Sequence, residues 1–128
     1  MHFSNFYKVL LAKDESRRQE LADTLIESLR FMETQALAGR KGGPYWLGNE
    51  YSLVDIALYP HFERLAVLEF YRGIAIPDEC GALREWMAAM AERPCVRQSA
   101  HGADYHISAY TGYADGTANG TTAKDMRN

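Results

Sequence analysis

A short motif, Ser52-Leu-Val-Asp55, stands at the start of a stretch that is apolar nearly all round. Ser-x-x-Asp is a variant of the helix capping box, in which the serine hydroxyl accepts the Asp55 backbone N–H and the Asp55 carboxylate accepts the Ser52 N–H. Tyr51 and Ile56 have the spacing of a hydrophobic staple across this cap. We therefore predict that a helix begins after Ser52, and that Ser52 and Asp55 have a structural capping role.

The helix that follows the cap has no extended polar face. Such a helix is expected inside a bundle, surrounded by other helices, and not on a surface. Its apolar pattern extends over residues 53–70, and Pro60 interrupts its hydrogen-bond ladder. We predict a central helix with a kink near residues 56–60.

Apolar residues recur at helical spacing in the rest of the chain, and no segment has the alternation of a strand. Asp14 and Asp78 precede two of these segments as candidate N-caps, and Pro94 suits the first position of another. We predict an all-α fold, a bundle of about five to six helices. The predicted helices are residues 2–12, 15–38, 53–70, 79–92, 94–99 and 103–113.

The end of the chain differs from the rest in composition. From Ala114 onward it is rich in Gly, Thr, Asn and Asp and has no apolar period. Such a segment buries too little apolar surface to fold alone. We predict one helical domain over residues 1–113 and a disordered tail over residues 114–128.

The overall composition is that of an ordinary globular domain, with 47% apolar and 24% charged residues in 128. A net charge of −3 provides no general attraction to nucleic acid or to an anionic membrane, and no apolar run is long enough to span a bilayer. The two cysteines, Cys80 and Cys95, lack the spacing of a redox motif. We expect a cytoplasmic protein with reduced thiols and with no nucleic-acid or membrane partner.

Few residues suggest chemistry. His101 and His106 are five positions apart, which directs them to different sides of a helix, so we predict no metal site. Asp55 is the most suggestive acid, either as a buried carboxylate near a binding cleft or as the cap, and the cap already explains its spacing. Arg64 and Arg72 could each anchor an anion, although contacts to carbonyls or carboxylates are their commoner use. No nucleophile–base motif is present, so we predict no catalytic residue.

The segment from Pro44 to Pro60, PYWLGNEYSLVDIALYP, strongly resembles the C-terminal all-helical domain of glutathione S-transferases. The resemblance covers about residues 3–113 and implies that family's helical bundle. Further positions that fit the family are Glu63-Arg64-Leu65, Tyr71-Arg72-Gly73, Trp86 and Arg93-Pro94.

In that family a thioredoxin-like N-terminal domain binds glutathione and supplies the residue that activates or holds its thiol, and no such region precedes His2. The resemblance implies that the helical domain contributes an apolar pocket for the electrophilic co-substrate, built largely from its first helix. Here that points to Phe3, Phe6, Tyr7 and Leu10. The alternative for these four is packing in the core or against the missing half. No cofactor is expected in this chain, and glutathione would be the co-substrate of the intact enzyme.

Two functions are consistent with the resemblance. The first is the acceptor-substrate domain of a glutathione S-transferase-like protein, which transfers glutathione to a hydrophobic electrophile once joined to a thioredoxin-like domain, and which could form a homodimer. The second is a non-catalytic helical module for protein interaction or ligand binding. In either case we expect no conjugation by the 128-residue chain alone, and we expect Met1 to lie at a truncation inside the first helix.

Overall fold

The computed structural model describes residues 4–127, and helices account for most of that range. No β-strand occurs among these residues, so the all-α prediction is confirmed. None of the helices there is both long and apolar enough to cross a membrane. The helices are α1 (Ser4–Leu11), α2 (Glu15–Phe31) with a π-helical continuation (Met32–Leu37), α3 (Leu53–Glu63), α4 (Leu65–Arg72), α5 (Gly81–Ala91), α6 (Pro94–Ser99), α7 (Ala103–Ala109), α8 (Thr111–Ala114) and α9 (Thr121–Arg127).

The central helix is divided into α3 and α4 at Arg64, one turn after Pro60. The predicted position of the kink, residues 56–60, is therefore too early. The Pro60 carbonyl accepts a hydrogen bond from Arg64 Nη1 at 2.9 Å, whereas the Arg64 backbone N–H is directed to the Phe62 carbonyl. The backbone hydrogen-bond ladder is thus interrupted at Arg64, where the arginine side chain and not its backbone N–H bonds to the Pro60 carbonyl.

The core is centred on Trp86 of α5, which is fully buried. Phe62 of α3 packs edge-to-face against it with ring centroids 5.1 Å apart, and Trp46 of the preceding loop does so at 5.6 Å. A second cluster joins α1, α2 and α4 around Val9 and Leu10. Leu65 contacts both clusters, so the break in the central helix lies where the two halves of the core meet.

Asp55 lies within the first cluster, with 0% of its surface exposed. Its Oδ1 accepts hydrogen bonds from Trp46 N at 2.9 Å and from Trp86 Nε1 at 2.8 Å. Its Oδ2 accepts from Ser52 N at 2.9 Å and from Ser52 Oγ at 3.0 Å. Burial alone would raise the pKa of this carboxyl, but the four hydrogen bonds to its charged form outweigh burial and lower the pKa. The carboxylate therefore joins a helix start, a loop and a neighbouring helix.

The loop before α3 is shaped to reach this carboxylate. Tyr45 N donates to the Gly48 carbonyl at 2.9 Å, and Gly48 N donates back to the Tyr45 carbonyl at 3.0 Å. Gly48 has φ +85°, and a Cβ there would collide with the Lys41 carbonyl, so the turn requires glycine. The turn presents Trp46 N–H to Asp55.

The start of α5 differs from the prediction. Asp78 does not cap it; its carboxylate lies 3.4 Å from Arg84 instead, and α5 begins at Gly81. The free N–H groups of the first turn donate to Glu33 of the π-helical segment, Ala82 N to Oε1 at 2.9 Å and Leu83 N to Oε2 at 2.8 Å. A carboxylate distant in sequence thus takes the place of a local cap.

The C-terminal region also differs from the predicted disordered tail. Helix α8 extends to Ala114, Asp115 accepts the Thr117 N–H at 2.8 Å in a turn, and α9 follows. Helix α9 contacts α1, and its Ala123 is buried. This order comes from tertiary contact with α1, which a local pattern without apolar period does not reveal.

Candidate functional site

A small cleft lies where α1 and α2 meet the junction of α3 and α4. Phe6 and Tyr7 of α1 form one wall, with their rings edge-to-face at 5.1 Å. His61 and Arg64 of the central helix stand at the opposite side. The remaining lining residues are Leu25, Leu29, Phe62 and Leu65.

The four residues that the sequence assigned to a substrate pocket do not all lie in the same environment. Phe6 and Tyr7 line the cleft. Leu10, one turn further along α1, is 0% exposed and packs in the core with residues of α2 and α4, so it supports the wall from behind. Phe3 lies outside the described residues. The alternative, packing in the core, therefore applies to Leu10 and in part to Phe6, which is 7% exposed and belongs to the same cluster.

Sequence reasoning did not place His61 and Arg64 at this site. They are three residues apart and thus share one face of the helix. That spacing was the available signal, but only the packing of α1 against the end of α3 shows that this face borders the cleft.

Two tyrosine hydroxyls pair at the edge of the site. Tyr7 Oη and Tyr110 Oη are 3.1 Å apart, and the Tyr110 ring packs edge-to-face on Phe6 at 5.7 Å. Burial, followed by the hydrogen bond to Tyr7, raises the pKa of Tyr110 to about 12. Its hydroxyl therefore keeps its proton at neutral pH and can donate one hydrogen bond, either to Tyr7 or to a ligand.

The opposite side of the cleft carries a guanidinium and an imidazole. Burial lowers the pKa of His61, and the charge of Arg64 lowers it further. Because the pKa of His61 lies below the ordinary histidine value of about 6.5, the neutral imidazole is favoured at pH 7. The lining therefore combines aromatic and aliphatic surface with hydrogen-bond donors. Among the described residues no group of three His, Cys, Asp or Glu side chains could hold a metal ion.

The cleft is narrow, with a free volume of about 20 Å³. That is room for roughly one water molecule, which needs about 10–15 Å³ on the same measure. Small-molecule sites commonly enclose about 300–1,000 Å³. An organic ligand would therefore require side chains such as Tyr7 or Arg64 to move, or a further wall that extends the cleft.

A larger groove, with a volume of about 570 Å³, lies on the other side of Arg64, between α3 and the α6–α7 connection. Glu63 Oε1 accepts the His101 backbone N–H at 3.0 Å and lies 3.1 Å from His106 Nε2. The two histidines thus reach one carboxylate through different groups. Their rings are 6.2 Å apart, centroid to centroid, and edge-on.

One face of α3 is uncovered by any element within residues 4–127. Leu53 is 80% exposed, Ile56 is 49% exposed, and Pro60 is also exposed. These positions are three and four residues apart and thus form a single apolar stripe. The prediction of a central helix enclosed on all sides is therefore wrong for this face. The stripe ends beside Arg64, which lines both the groove and the cleft.

Residues 15–89 match the family model described as "Glutathione S-transferase, C-terminal domain". Glutathione S-transferase omega-1 of Sus scrofa is 37% identical over 84 residues, which cover 62% of this chain and 34% of the relative. Glutathione S-transferase U12 of Arabidopsis thaliana is 30% identical over 97 residues, or 74% of this chain and 38% of the relative. A glutathione S-transferase-like protein, OpS6, of Beauveria bassiana is 35% identical over 66 residues, or 48% and 27%. The matched region spans about a third of the length of these relatives.

Proposed function

Because the chain belongs to the glutathione S-transferase C-terminal domain family, we propose that it is the helical acceptor-substrate domain of a glutathione S-transferase-like protein. In this proposal a thioredoxin-like domain joined to it binds glutathione, and the helical domain holds a hydrophobic electrophile. The proposal includes a cytoplasmic location and allows a homodimer.

The observation that carries the proposal is the position of the cleft beside the uncovered stripe of α3. A fully buried leucine side chain contributes about 1.5–3 kcal/mol more than an exposed one, so Leu53 and Ile56 leave much of that stabilisation unused. Contiguous exposed apolar surface commonly marks an interface. A domain seated on Leu53, Ile56 and Pro60 would border Arg64, and it would supply the further wall that the narrow cleft lacks.

The role of this chain in the reaction is positional. Phe6 and Tyr7 would contact the aromatic or aliphatic body of the electrophile, with Leu10 behind them. The tyrosine hydroxyl whose proton is not used in the Tyr7–Tyr110 hydrogen bond would donate a hydrogen bond to a polar substituent of the electrophile. Holding the electrophile close to the glutathione thiolate and away from water lowers the barrier through proximity and desolvation. No proton transfer is assigned to these residues.

An assay of glutathione conjugation with a chloronitrobenzene tests the proposal. The 128-residue chain alone is compared with the same chain joined to a thioredoxin-like domain of a glutathione S-transferase. We expect turnover by the joined protein and none above background by the chain alone. Turnover by the isolated chain would contradict the division of roles proposed here.

The uncovered stripe also suits a second function, that of a non-catalytic module for protein interaction or ligand binding. The coding sequence upstream of Met1 discriminates between the two. A thioredoxin-like reading frame continuous with this chain supports the enzyme, and an independent start codon and promoter support the module.

A further inference from the structure

Two arginines meet in a pocket that the proposed function does not use. The pocket has a volume of about 250 Å³ and lies between the first turns of α2 and the end of α4. Arg18 enters it from α2, and Arg72 enters from α4. Its other lining residues are Glu15, Gln19, Ala22, Tyr71 and Ile74.

Both guanidinium groups are held in place by backbone carbonyls. Arg18 Nε and Nη2 donate to the Ala12 carbonyl at 3.2 and 2.7 Å. Arg72 Nη2 donates to the carbonyls of Leu10 and Ala114, the latter at 2.9 Å, and Nη1 donates to that of Tyr71 at 3.2 Å. These contacts connect α1, α4 and α8, and they fix the two side chains before any ligand arrives.

The carbonyl contacts leave part of the donor capacity unused. Arg72 Nε is buried and has no hydrogen-bond partner. Arg18 Nη1 makes none of the hydrogen bonds found among the described residues. A buried donor without a partner is uncommon in proteins, and a bound water or ion is a frequent reason for one.

The charges in the pocket are also unbalanced. Within residues 4–127 neither Arg18 nor Arg72 forms an ion pair. Burial lowers the pKa of Arg72, and the positive charge of Arg18 lowers it further, which indicates that the two like charges oppose each other. Glu15 is the acidic group that lines the pocket, and it supplies at most one negative charge.

We propose that this pocket is a binding site for a phosphate group, held between Arg18 and Arg72. Guanidinium groups bind phosphate oxygens through paired, charge-assisted hydrogen bonds. A phosphate ion carries more than one negative charge near pH 7 and would therefore balance two arginines better than a carboxylate does. The pocket is many times larger than the ~10–15 Å³ that one water molecule needs on the same measure, so a phosphate group fits.

Phosphate titration of the full 128-residue chain tests the site. Thermal unfolding is followed as inorganic phosphate replaces chloride at constant pH and ionic strength, and ³¹P NMR measures binding directly. A ligand that binds the folded state raises the unfolding temperature with concentration. We expect such a rise for the unmodified chain, and a much smaller one when acetate replaces phosphate.

The variant Arg18→Gln is compared with Arg17→Gln. Arg17 lies next in sequence on the surface of α2 and pairs with Glu20 at 3.2 Å, so it matches the change in charge. We expect phosphate affinity to fall at least tenfold in Arg18→Gln and to stay within twofold in Arg17→Gln. Arg18→Gln also loses the contact to the Ala12 carbonyl, and this structural effect lowers the unfolding temperature measured without phosphate. The loss of phosphate binding is measured separately, as the loss of the rise in unfolding temperature when phosphate is added.

Glu15→Gln provides a second variant that leaves both arginines in place. Removing the negative charge of a carboxylate that lines the pocket should tighten phosphate binding severalfold, whereas Glu20→Gln should not. The proposal is overturned if Arg18→Gln binds phosphate as the unmodified chain does, if acetate binds equally well, or if ³¹P NMR detects no binding to the unmodified chain. Should Arg18→Gln not fold, an unchanged affinity in Glu15→Gln contradicts the proposal on its own.

Discussion

At the scale of single residues, the buried carboxylate of Asp55 connects several parts of the fold. A carboxylate with no exposed surface is unfavourable unless its oxygens are bonded, and Asp55 receives four hydrogen bonds from Ser52, Trp46 and Trp86. Removing it would leave buried donors without partners, each at a cost of about 1–3 kcal/mol.

We therefore expect Asp55→Ala to lower the free energy of unfolding by on the order of 3 kcal/mol. Denaturant unfolding measures this change. Cys95→Ala is the control, because Cys95 is exposed and surface substitutions usually change stability by less than about 0.5 kcal/mol. Cys80 is buried, so Cys80→Ala should fall between the two. Equal losses in Asp55→Ala and Cys95→Ala would refute the structural role.

The lowered pKa of Asp55 predicts how stability depends on pH. Because the folded-state pKa lies below the unfolded value of about 4, the unfolded chain binds this proton first as the pH falls. The stability due to Asp55 is complete above the unfolded pKa and is lost as the pH falls through the folded pKa.

Unfolding free energies of the unmodified chain and Asp55→Asn, measured from pH 7 down to pH 3, check this dependence. The difference between them should shrink toward the acid end. Asp104→Asn, which removes an exposed carboxylate, is the control for the loss of one negative charge. A gap for Asp55→Asn that widens with acid would show that its pKa is raised in the folded state.

Part of this residue's environment was accessible from the sequence. Ser52 and Asp55 are three positions apart, and local spacing predicts their contact. Trp46 N is nine positions away across a glycine turn, and Trp86 is 31 positions away, so their hydrogen bonds depend on tertiary packing. In the cleft, Phe6 and Tyr7 could be proposed because a family resemblance implied them, whereas the positions of Arg64 and His61 depend on how two helices meet.

At the scale of elements, Glu33 shows how one helix stabilises the start of another. Its two carboxylate oxygens accept the N–H groups of Ala82 and Leu83, and the N-cap residue of α5, Cys80, makes no side-chain cap. The negative charge of Glu33 also interacts favourably with the positive N-terminal end of the α5 dipole. No local motif predicts this cap, because its acceptor lies 49 and 50 residues away in sequence.

Glu33→Gln should therefore destabilise the chain by about 1–2 kcal/mol, since an amide can accept through one atom only and loses the charge. Glu27→Gln on the exposed surface of α2 is the matched control and should change stability by less than about 0.5 kcal/mol. Hydrogen exchange at Ala82 and Leu83 locates the effect. Unchanged exchange there in Glu33→Gln would contradict the capping role.

The apolar periodicity of the sequence predicted which segments are helical better than it predicted where the helices begin, break and end. The class and most helices followed from apolar periodicity, but the π-helical continuation of α2, the break at Arg64 and helix α9 did not. Two of these regions make tertiary contacts, since Glu33 reaches α5 and α9 packs on α1, whereas at the break the Arg64 side chain takes the Pro60 carbonyl one turn away.

At the scale of the whole molecule, the two halves of the core meet at Leu65, and the cleft opens at the same junction. The uncovered stripe of α3 lies beside it. An amphipathic helix on a surface normally directs its apolar side inward. A central helix with an exposed apolar side is therefore consistent with a domain that covers it in the intact protein.

Leu53→Lys tests that reading, because Leu53 is 80% exposed in this chain. We expect the free energy of unfolding of the isolated chain to change by less than about 0.5 kcal/mol. In the protein joined to a thioredoxin-like domain, the same variant should lower the unfolding temperature by several degrees, since a charge would be buried at the interface. Lys13→Leu serves as a control for surface charge. An equal effect of Leu53→Lys with and without the added domain would contradict docking on this stripe.

In the proposed function the Phe6–Tyr7 wall holds the electrophile for a glutathione-binding domain, and steady-state kinetics of the joined protein tests this role most directly. Tyr7→Leu is compared with Tyr105→Leu, which alters an exposed tyrosine on α7, and with Tyr110→Phe, which removes only the paired hydroxyl. We predict that Tyr7→Leu raises the KM for a chloronitrobenzene at least fivefold, leaves the KM for glutathione unchanged, and differs in this respect from Tyr105→Leu. An unchanged KM for the electrophile in Tyr7→Leu, or a rise confined to the KM for glutathione, would show that Tyr7 does not hold the electrophile.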